Sequence, residues 1–169
     1  MKIVCAASVL HAREAFAGLG DVALVPDREI SHAHLQDADA LVVRSKTLVG
    51  PELLEGTPVG FVATATAGAD HFDVSWLNRA GIAWTASPGC NANSVAEYVA
   101  TALVLLARKR AALLPGRTLG IVGVGQVGSR VAQKAGLLGL RVLRNDPPLA
   151  LKTGSADFRP LDAVLAEAD

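Results

Sequence analysis

Short apolar runs alternate with stretches of helical periodicity over the first half of the chain. The runs predict strands at residues 2–6, 22–25, 40–43, 59–64 and 82–86. Between them the spacing predicts helices at residues 10–19 and 51–55, a short helix capped by Ser31, and a helix capped by Asp73 and stopped by Gly81. Strands separated by helices indicate right-handed crossovers and a mostly parallel sheet covered on both faces.

The second half begins with a long apolar helix and then repeats the alternation. Ser94 and Glu97 are spaced as a capping box, which predicts a helix over 94–114 that is apolar on nearly every side. A strand at 118–123, a helix at 126–138 and a strand at 141–145 follow, then a loop that starts at Pro147 and a helix at 160–168. We therefore predict three parts: a first domain at 1–93, an interdomain helix at 94–114, and a second unit at 115–169.

Composition narrows the class of protein. Hydrophobic residues make up 51% of the 169 and the mean hydropathy is +0.36, which excludes a disordered chain. Sixteen basic residues balance 16 acidic ones, so a globally basic nucleic-acid binder is excluded. Residues 98–145 nevertheless hold eight bases and no acid. This stretch either attracts an anion or pairs with acids elsewhere in the fold.

Cysteine and histidine usage argues against disulfide or metal chemistry. Cys5 and Cys90 form no framework and read as buried, reduced thiols. His32 and His34 have no third ligand nearby, so we expect no metal. The start lacks a signal-peptide pattern and no apolar run approaches the roughly 20 residues of a membrane span. We expect a cytoplasmic protein.

The strongest motif is the run from Gly123 to Gly128, which reads Gly-Val-Gly-Gln-Val-Gly. It follows an apolar strand, opens a helix, and has Asp146 at the end of the next strand, which is the full dinucleotide-binding context. Gly123 permits the turn, Gly125 lets a diphosphate approach, and Gly128 lets the helix pack on the strand. The amides of Gln126 and Val127 would face phosphate, and Asp146 would accept from ribose hydroxyls and favour NAD over NADP. Arg144 could soften that preference.

A second group of polar residues follows the third and fourth predicted strands. Thr64 to His71 and Arg44-Ser45-Lys46 lie at the carboxyl ends of these strands, where open α/β sheets bind ligands. An arginine, a hydroxyl and accessible amides suit an anion, although an ordinary polar turn explains either loop equally well. We interpret His71 as a locally bonded loop histidine rather than a catalytic one.

At these residues the sequence resembles the D-isomer-specific 2-hydroxyacid dehydrogenases. The resemblance covers nearly the whole chain and is carried by five segments: residues 42–45, 61–68, 88–92, 120–128 and 146–148. It implies a flavodoxin-like parallel-sheet substrate domain followed by an incomplete Rossmann dinucleotide-binding domain. One departure comes after the first strand, where the family usually has an acid and this chain has Ala6-Ala7-Ser8.

The resemblance also implies roles for particular residues. Ser45 and Thr66 would bind a phosphorylated hydroxy acid, and Gln126, Val127 and Asp146 would bind NAD. The family's catalytic arginine, acid and histidine would lie beyond Asp169, so we expect no catalytic residue in this chain and no turnover by it alone. Partners would be the small-molecule substrate and either a second copy or a polypeptide supplying the remaining half, not nucleic acid or membrane. The alternative is a non-catalytic nucleotide-binding module or one subunit of a split dehydrogenase.

Overall fold

The chain carries two separate parallel sheets, one in each of two units. The computed structural model describes every residue from Met1 to Asp169. The first unit spans Met1–Pro88 and the second spans Gly89–Asp169. No helix is both long enough and apolar enough to cross a membrane.

The first unit is a five-stranded parallel sheet with helical crossovers. Its strands, in the spatial order β2-β1-β3-β4-β5, are β1 Lys2–Ala6, β2 Asp21–Val25, β3 Ala40–Val43, β4 Phe61–Thr64 and β5 Ala83–Thr85. The connecting helices are α1 Ala12–Phe16, a 3-10 helix at His32–Leu35, α2 Pro51–Leu54 and α3 Val74–Ala80. Alternate side chains of β1 and β3 point to opposite faces, and each face buries its own apolar cluster. The predicted parallel α/β sheet is confirmed.

Local capping signals set both ends of α3. The Asp73 carboxylate accepts the Trp76 amide at 2.9 Å, and Gly81 ends α3 with a φ of 71°. The helix predicted over 10–19 is shorter, because Leu10 and Leu19 are exposed and do not belong to its buried face. The two tryptophans pack against the core as expected from their spacing.

The second unit is a two-stranded parallel sheet flanked by helices. It comprises α4 Ala92–Lys109, β6 Thr118–Val122, α5 Gln126–Leu137, β7 Arg141–Asn145, α6 Pro147–Thr153 and α7 Leu161–Glu167. One sheet face buries Ile121 against Val131 and Ala132 of α5. The other face receives α7, where a Cβ built on Gly120 would lie 2.7 Å from the Val164 side chain.

Two local predictions for the second unit are wrong. Ser94 and Glu97 form no capping box, because α4 begins two residues earlier, after Asn91. Glu97 instead accepts a hydrogen bond from the side-chain amide of Asn93 at 2.8 Å. The helix also ends at Lys109 rather than near Leu114, with Ala111 adopting a positive φ of 48°.

The segment after β7 is also helical where a loop was expected. Pro147 and Pro148 stand in the first turn of α6, where a missing N–H costs nothing. The Asp146 carboxylate caps this helix through the Leu149 amide at 3.0 Å, and Gly154 ends it with a φ of 65°. The prolines start a helix here instead of preventing one.

Candidate functional site

The ends of β3 and β4 bring the two predicted substrate residues together. Val43 is paired with Thr64 in register, and the Ala65 amide donates to the Val43 carbonyl at 2.9 Å. The loops that follow these strands are therefore neighbours. Ser45 and Thr66 line one cleft of about 400 Å³, together with Leu48, Gly68, Asp70 and His71.

A chain of hydrogen bonds runs from the protein interior to this cleft. The Nε2 atom of buried His71 lies 3.1 Å from the hydroxyl oxygen of Thr64, which lies 2.7 Å from that of Thr66. The Thr66 hydroxyl donates to the Gly68 carbonyl at 2.9 Å. His71 is thus bonded locally, as predicted, and burial lowers its pKa while the Asp70 carboxylate opposes that shift. The role of Thr64 was missed, since no local pattern links it to a histidine seven residues away.

The loops after β3 and β4 that form the cleft carry both basic and acidic side chains. Arg44 and Lys46 flank Ser45 and are exposed, and Arg44 donates to the Ser8 carbonyl at 3.4 Å. Asp70 is also exposed and brings a carboxylate to the lining. Neither cation lines the cleft, so their positive charge would act on an anion there only at long range.

A carboxylate does reach the loop after β1, but from the neighbouring strand. The Ser8 hydroxyl and amide donate to Asp27 at 2.6 and 3.3 Å. The Ser8 hydroxyl bond holds the pKa of Asp27 below its usual range, against a smaller effect of burial. Asp27 therefore brings a carboxylate to the loop that holds Ala6-Ala7-Ser8.

A larger cleft of about 660 Å³ adjoins the smaller one in the first unit, and the two share Leu48, Asp70 and His71. Its lining adds Glu52 and Asp73, two further carboxylates, and includes neither Ser45 nor Thr66. An anionic ligand is better suited to the smaller cleft because of this difference in charge.

The glycine loop of the second unit has the geometry of a phosphate cradle. Gly123 has a φ of 85°, and a Cβ built on Gly128 would lie 2.0 Å from the Gly123 carbonyl oxygen. A Cβ on Gly125 would meet nothing within 4 Å, so the space before the α5 N-terminus is open. The Ser129 amide donates to the Gly125 carbonyl at 3.1 Å, which leaves the earlier amides of Gln126 and Val127 available to a ligand. The loop fits a dinucleotide.

Asp146 stands at the end of β7, as expected, but its carboxylate is already engaged. One oxygen accepts the Val124 amide at 2.8 Å and the other accepts the Leu149 amide at 3.0 Å. Each oxygen retains a lone pair for a ribose hydroxyl. Arg144, two residues earlier, has a buried Nε with no hydrogen-bond partner.

Some basic residues of the stretch over 98–145 pair with acids elsewhere in the fold, and one lies where it could attract an anion. Three of its residues pair with carboxylates: Lys134 with Glu97 at 3.7 Å, Arg141 with Glu167 at 2.9 Å and Arg117 with Asp169 at 3.0 Å. Arg130 instead donates to the carbonyl and the side chain of Gln126, beside the glycine loop. One cation therefore lies where an anion would bind.

The two cysteines differ, and the expectation that both are buried is wrong for one. Cys5 is fully buried on β1, and burial, aided by the Asp27 charge, raises its pKa to about 11. Cys90 is exposed, because it lies in the turn that precedes α4. No three His, Cys, Asp or Glu side chains group as metal ligands would.

Comparison with known proteins identifies the family. The family model described as D-isomer specific 2-hydroxyacid dehydrogenase, catalytic domain, matches residues 7–159, so the chain belongs to this family. Its sequence is 52% identical over 169 residues to erythronate-4-phosphate dehydrogenase of Salmonella paratyphi B. The match covers 100% of this chain and 45% of that relative, so the chain spans about half the length of the curated relatives it matches.

Solved structures of the same class share the fold. The D-lactate dehydrogenase of Aquifex aeolicus, complexed with NAD and lactic acid, superposes with a TM-score of 0.77 at 25% identity, over 99% of this chain and 58% of that one. The NAD-bound 3-phosphoglycerate dehydrogenase of Entamoeba histolytica gives a TM-score of 0.77 at 26% identity, and the match covers 99% of this chain and 60% of that one. Both were solved with NAD.

Proposed function

We propose that this chain provides the substrate-binding and dinucleotide-binding parts of an NAD-dependent dehydrogenase that oxidises 4-phospho-D-erythronate to the corresponding 2-oxo acid. By its resemblance, this reaction belongs to pyridoxal phosphate biosynthesis. The observation that carries the proposal is the cleft in which Ser45 and Thr66 meet, in a chain 52% identical to a relative of that name. Identity along the whole chain does not favour a separate nucleotide-binding module.

In the first unit the hydroxy acid would be held by hydroxyl donors. Ser45 and Thr66 each present an O–H group, which can donate to a phosphate or carboxylate oxygen. A charge-assisted bond of this kind is shorter and roughly twice as strong as a neutral one. Arg44 and Lys46 add long-range attraction for the anion.

In the second unit the cofactor would be held by the glycine loop and Asp146. The amides of Gln126 and Val127 would bind the diphosphate at the N-terminus of α5, and Asp146 would accept from the adenosine ribose. NAD, when bound, supplies the acceptor for the hydride that leaves the carbon bearing the hydroxyl group. Because the Asp146 carboxylate would repel a 2′-phosphate, NADP should bind more weakly.

The test is ligand binding by the purified chain, measured by calorimetry. We expect 4-phospho-D-erythronate to bind, and Ser45→Ala and Thr66→Val each to weaken it by roughly 10-fold, as expected for a hydrogen bond to a charged group. Ser75→Ala, at an exposed hydroxyl of α3 outside the cleft, is the matched control and should change nothing. Equal affinity of all four proteins would refute the assignment of the cleft.

The cofactor assignment is tested in the same way with NAD and NADP. We expect NAD to bind more tightly, and Gly125→Val to abolish binding of both, because a side chain would fill the open space before α5. Preference for NADP would overturn the role given to Asp146.

A further inference from the structure

His71 is a buried titratable group that the proposed function leaves without a role. Its side chain is 8% exposed and packs edge-on against the Phe72 ring, with centroids 4.7 Å apart. It belongs to the loop after β4 and lines the cleft that holds Ser45 and Thr66. Burial of an imidazole is costly unless its nitrogens form hydrogen bonds, and the Nε2 atom of His71 forms one with Thr64.

The directions of the hydrogen bonds in this chain follow from counting protons. A threonine hydroxyl has one proton, and that of Thr66 is given to the Gly68 carbonyl. The bond between Thr64 and Thr66 must then use the proton of Thr64. Thr64 has no second proton for His71, so the imidazole Nε2–H donates to Thr64.

This order restricts where the proton of Thr66 can point. The hydroxyl of Thr66 cannot turn toward Thr64, because the proton of Thr64 already occupies that direction. Thr64 cannot reverse as long as His71 carries its proton on Nε2 and directs it at Thr64. The proton of Thr66 is left with the Gly68 carbonyl or a ligand in the cleft, and each bond in such a series strengthens the next.

We propose that His71 is a positioning residue, which acts through Thr64 to hold the hydroxyl of Thr66 as a donor toward the anionic group of the bound hydroxy acid. The proposal rests on the proposed function of the cleft. His71 does not touch the ligand and takes no proton from it.

The backbone around His71 is fixed in a way that suits this role. The carbonyl of His71 accepts the Val49 amide at 2.8 Å, and the Asp73 amide donates to the Val49 carbonyl at 2.8 Å. The loop is therefore tied to the segment around Val49 at His71 itself and again two residues later. Burial lowers the pKa of His71, so the ring is neutral at pH 7 and only one nitrogen carries a proton. The arrangement requires that nitrogen to be Nε2.

The first experiment reads the tautomer directly in the unmodified chain. Two-bond 15N–1H correlation spectra of the histidine rings at pH 7.5 distinguish a proton on Nε2 from one on Nδ1. We expect His71 to carry its proton on Nε2. A proton on Nδ1 would reverse the bonds and overturn the proposal, whether or not any variant folds.

The second experiment compares two substitutions that differ in the donor alone. His71→Phe keeps a ring against Phe72 but removes the N–H, whereas His71→Gln keeps an amide N–H close to the position of Nε2. We expect His71→Phe to weaken 4-phospho-D-erythronate binding by about 5- to 10-fold and His71→Gln to restore most of it. Thr64→Val should repeat the loss and Thr64→Ser should repair it, with amide spectra confirming that each variant is folded.

The outcomes separate the two claims. If the wild-type chain binds the ligand and both His71→Phe and Thr64→Val bind it with the same affinity, the positioning role alone is overturned. No binding by the wild-type chain would refute the function assigned to the cleft, and this proposal with it. Equal losses in His71→Gln and His71→Phe would show a structural effect and also overturn the proposal.

Discussion

The two units differ in how completely they bury their apolar side chains. The first has five paired strands and buries apolar clusters on both faces of its sheet. The second has two strands, and of the largest fully buried side chains in the molecule only Val164 belongs to it. It exposes many large apolar residues instead, among them Tyr98 at 76%, Val122 at 62% and Leu137 at 84%.

The two candidate sites are built by different means, in keeping with the difference in burial between the units. The cleft of the first unit rests on side chains that a deep core holds in place, including buried Thr64 and His71. The glycine loop of the second unit depends on backbone geometry and on one carboxylate, Asp146. Since stability is roughly proportional to apolar area buried, we expect the second unit to open more readily.

The largest effect is expected from a cavity in the first unit. Leu41→Ala removes a fully buried side chain from central strand β3 and should cost about 2–5 kcal/mol. Both tryptophans, Trp76 and Trp84, lie in this unit, so its unfolding can be followed by their fluorescence. Leu19→Ala, at a side chain 60% exposed, is the control and should change stability by less than about 0.5 kcal/mol. Similar losses for the two would refute the deep core.

The next largest effect is expected from overlap in the glycine loop. Gly128→Ala places a methyl group on the Gly123 carbonyl and should cost about 1–3 kcal/mol within the second unit. Amide hydrogen exchange should show faster opening of α5 while the tryptophan transition stays unchanged. Gly136→Ala, on the same helix with open space around it, should be neutral or stabilising. A shift of the tryptophan transition by Gly128→Ala would mean that the units unfold together.

A smaller effect is expected from removing the carboxylate that ties the loop to α6. Asp146→Ala leaves the amides of Val124 and Leu149 without their acceptor, and loss of a helix cap costs about 1 kcal/mol. Exchange of those two amides should quicken, and the preference for NAD over NADP should shrink. Asp157→Ala, an exposed aspartate of the same unit, serves as the reference. Unchanged exchange at Val124 would contradict the tie.

The smallest effect is expected from titration of His71. Because burial lowers its pKa below the ordinary 6.5, the unfolded chain takes up the proton first as pH falls. Stability of the first unit should therefore decline as the pH drops below about 6.5, and it should be regained above that value. In His71→Gln the stability of the first unit, measured relative to that variant's value at pH 8, should fall less as the pH drops. A slope that persists in His71→Gln would assign the dependence to another group.

The sequence predicts elements well where the signals are local. The strands β1, β3 and β7 and the cap at Asp73 could be predicted because apolar runs and capping residues act within a few positions. The loop predicted after Pro147 is wrong because a proline pair can either end a helix or stand in its first turn. The capping residue Asp146 favours the second outcome. The capping box at Ser94 failed because α4 begins earlier, after Asn91.

The candidate sites also differ in whether a local sequence signal predicts them. The glycine loop is continuous in sequence, so its motif predicts it. That Ser45 and Thr66 meet depends on the pairing of β3 with β4, which the alternation of elements implies and the register of Val43 with Thr64 establishes. The bond from His71 to Thr64 depends on the path of a whole loop and has no local signal.

Residue-resolved NMR titration of the 15N-labelled chain shows whether each unit binds its own ligand. We expect 4-phospho-D-erythronate to shift the amide signals of Ser45, Thr66 and Gly68, and NAD to shift those of Gly125, Gln126 and Val127. Shifts from both ligands at the same residues, or from either ligand only outside these two sets, would contradict this expectation.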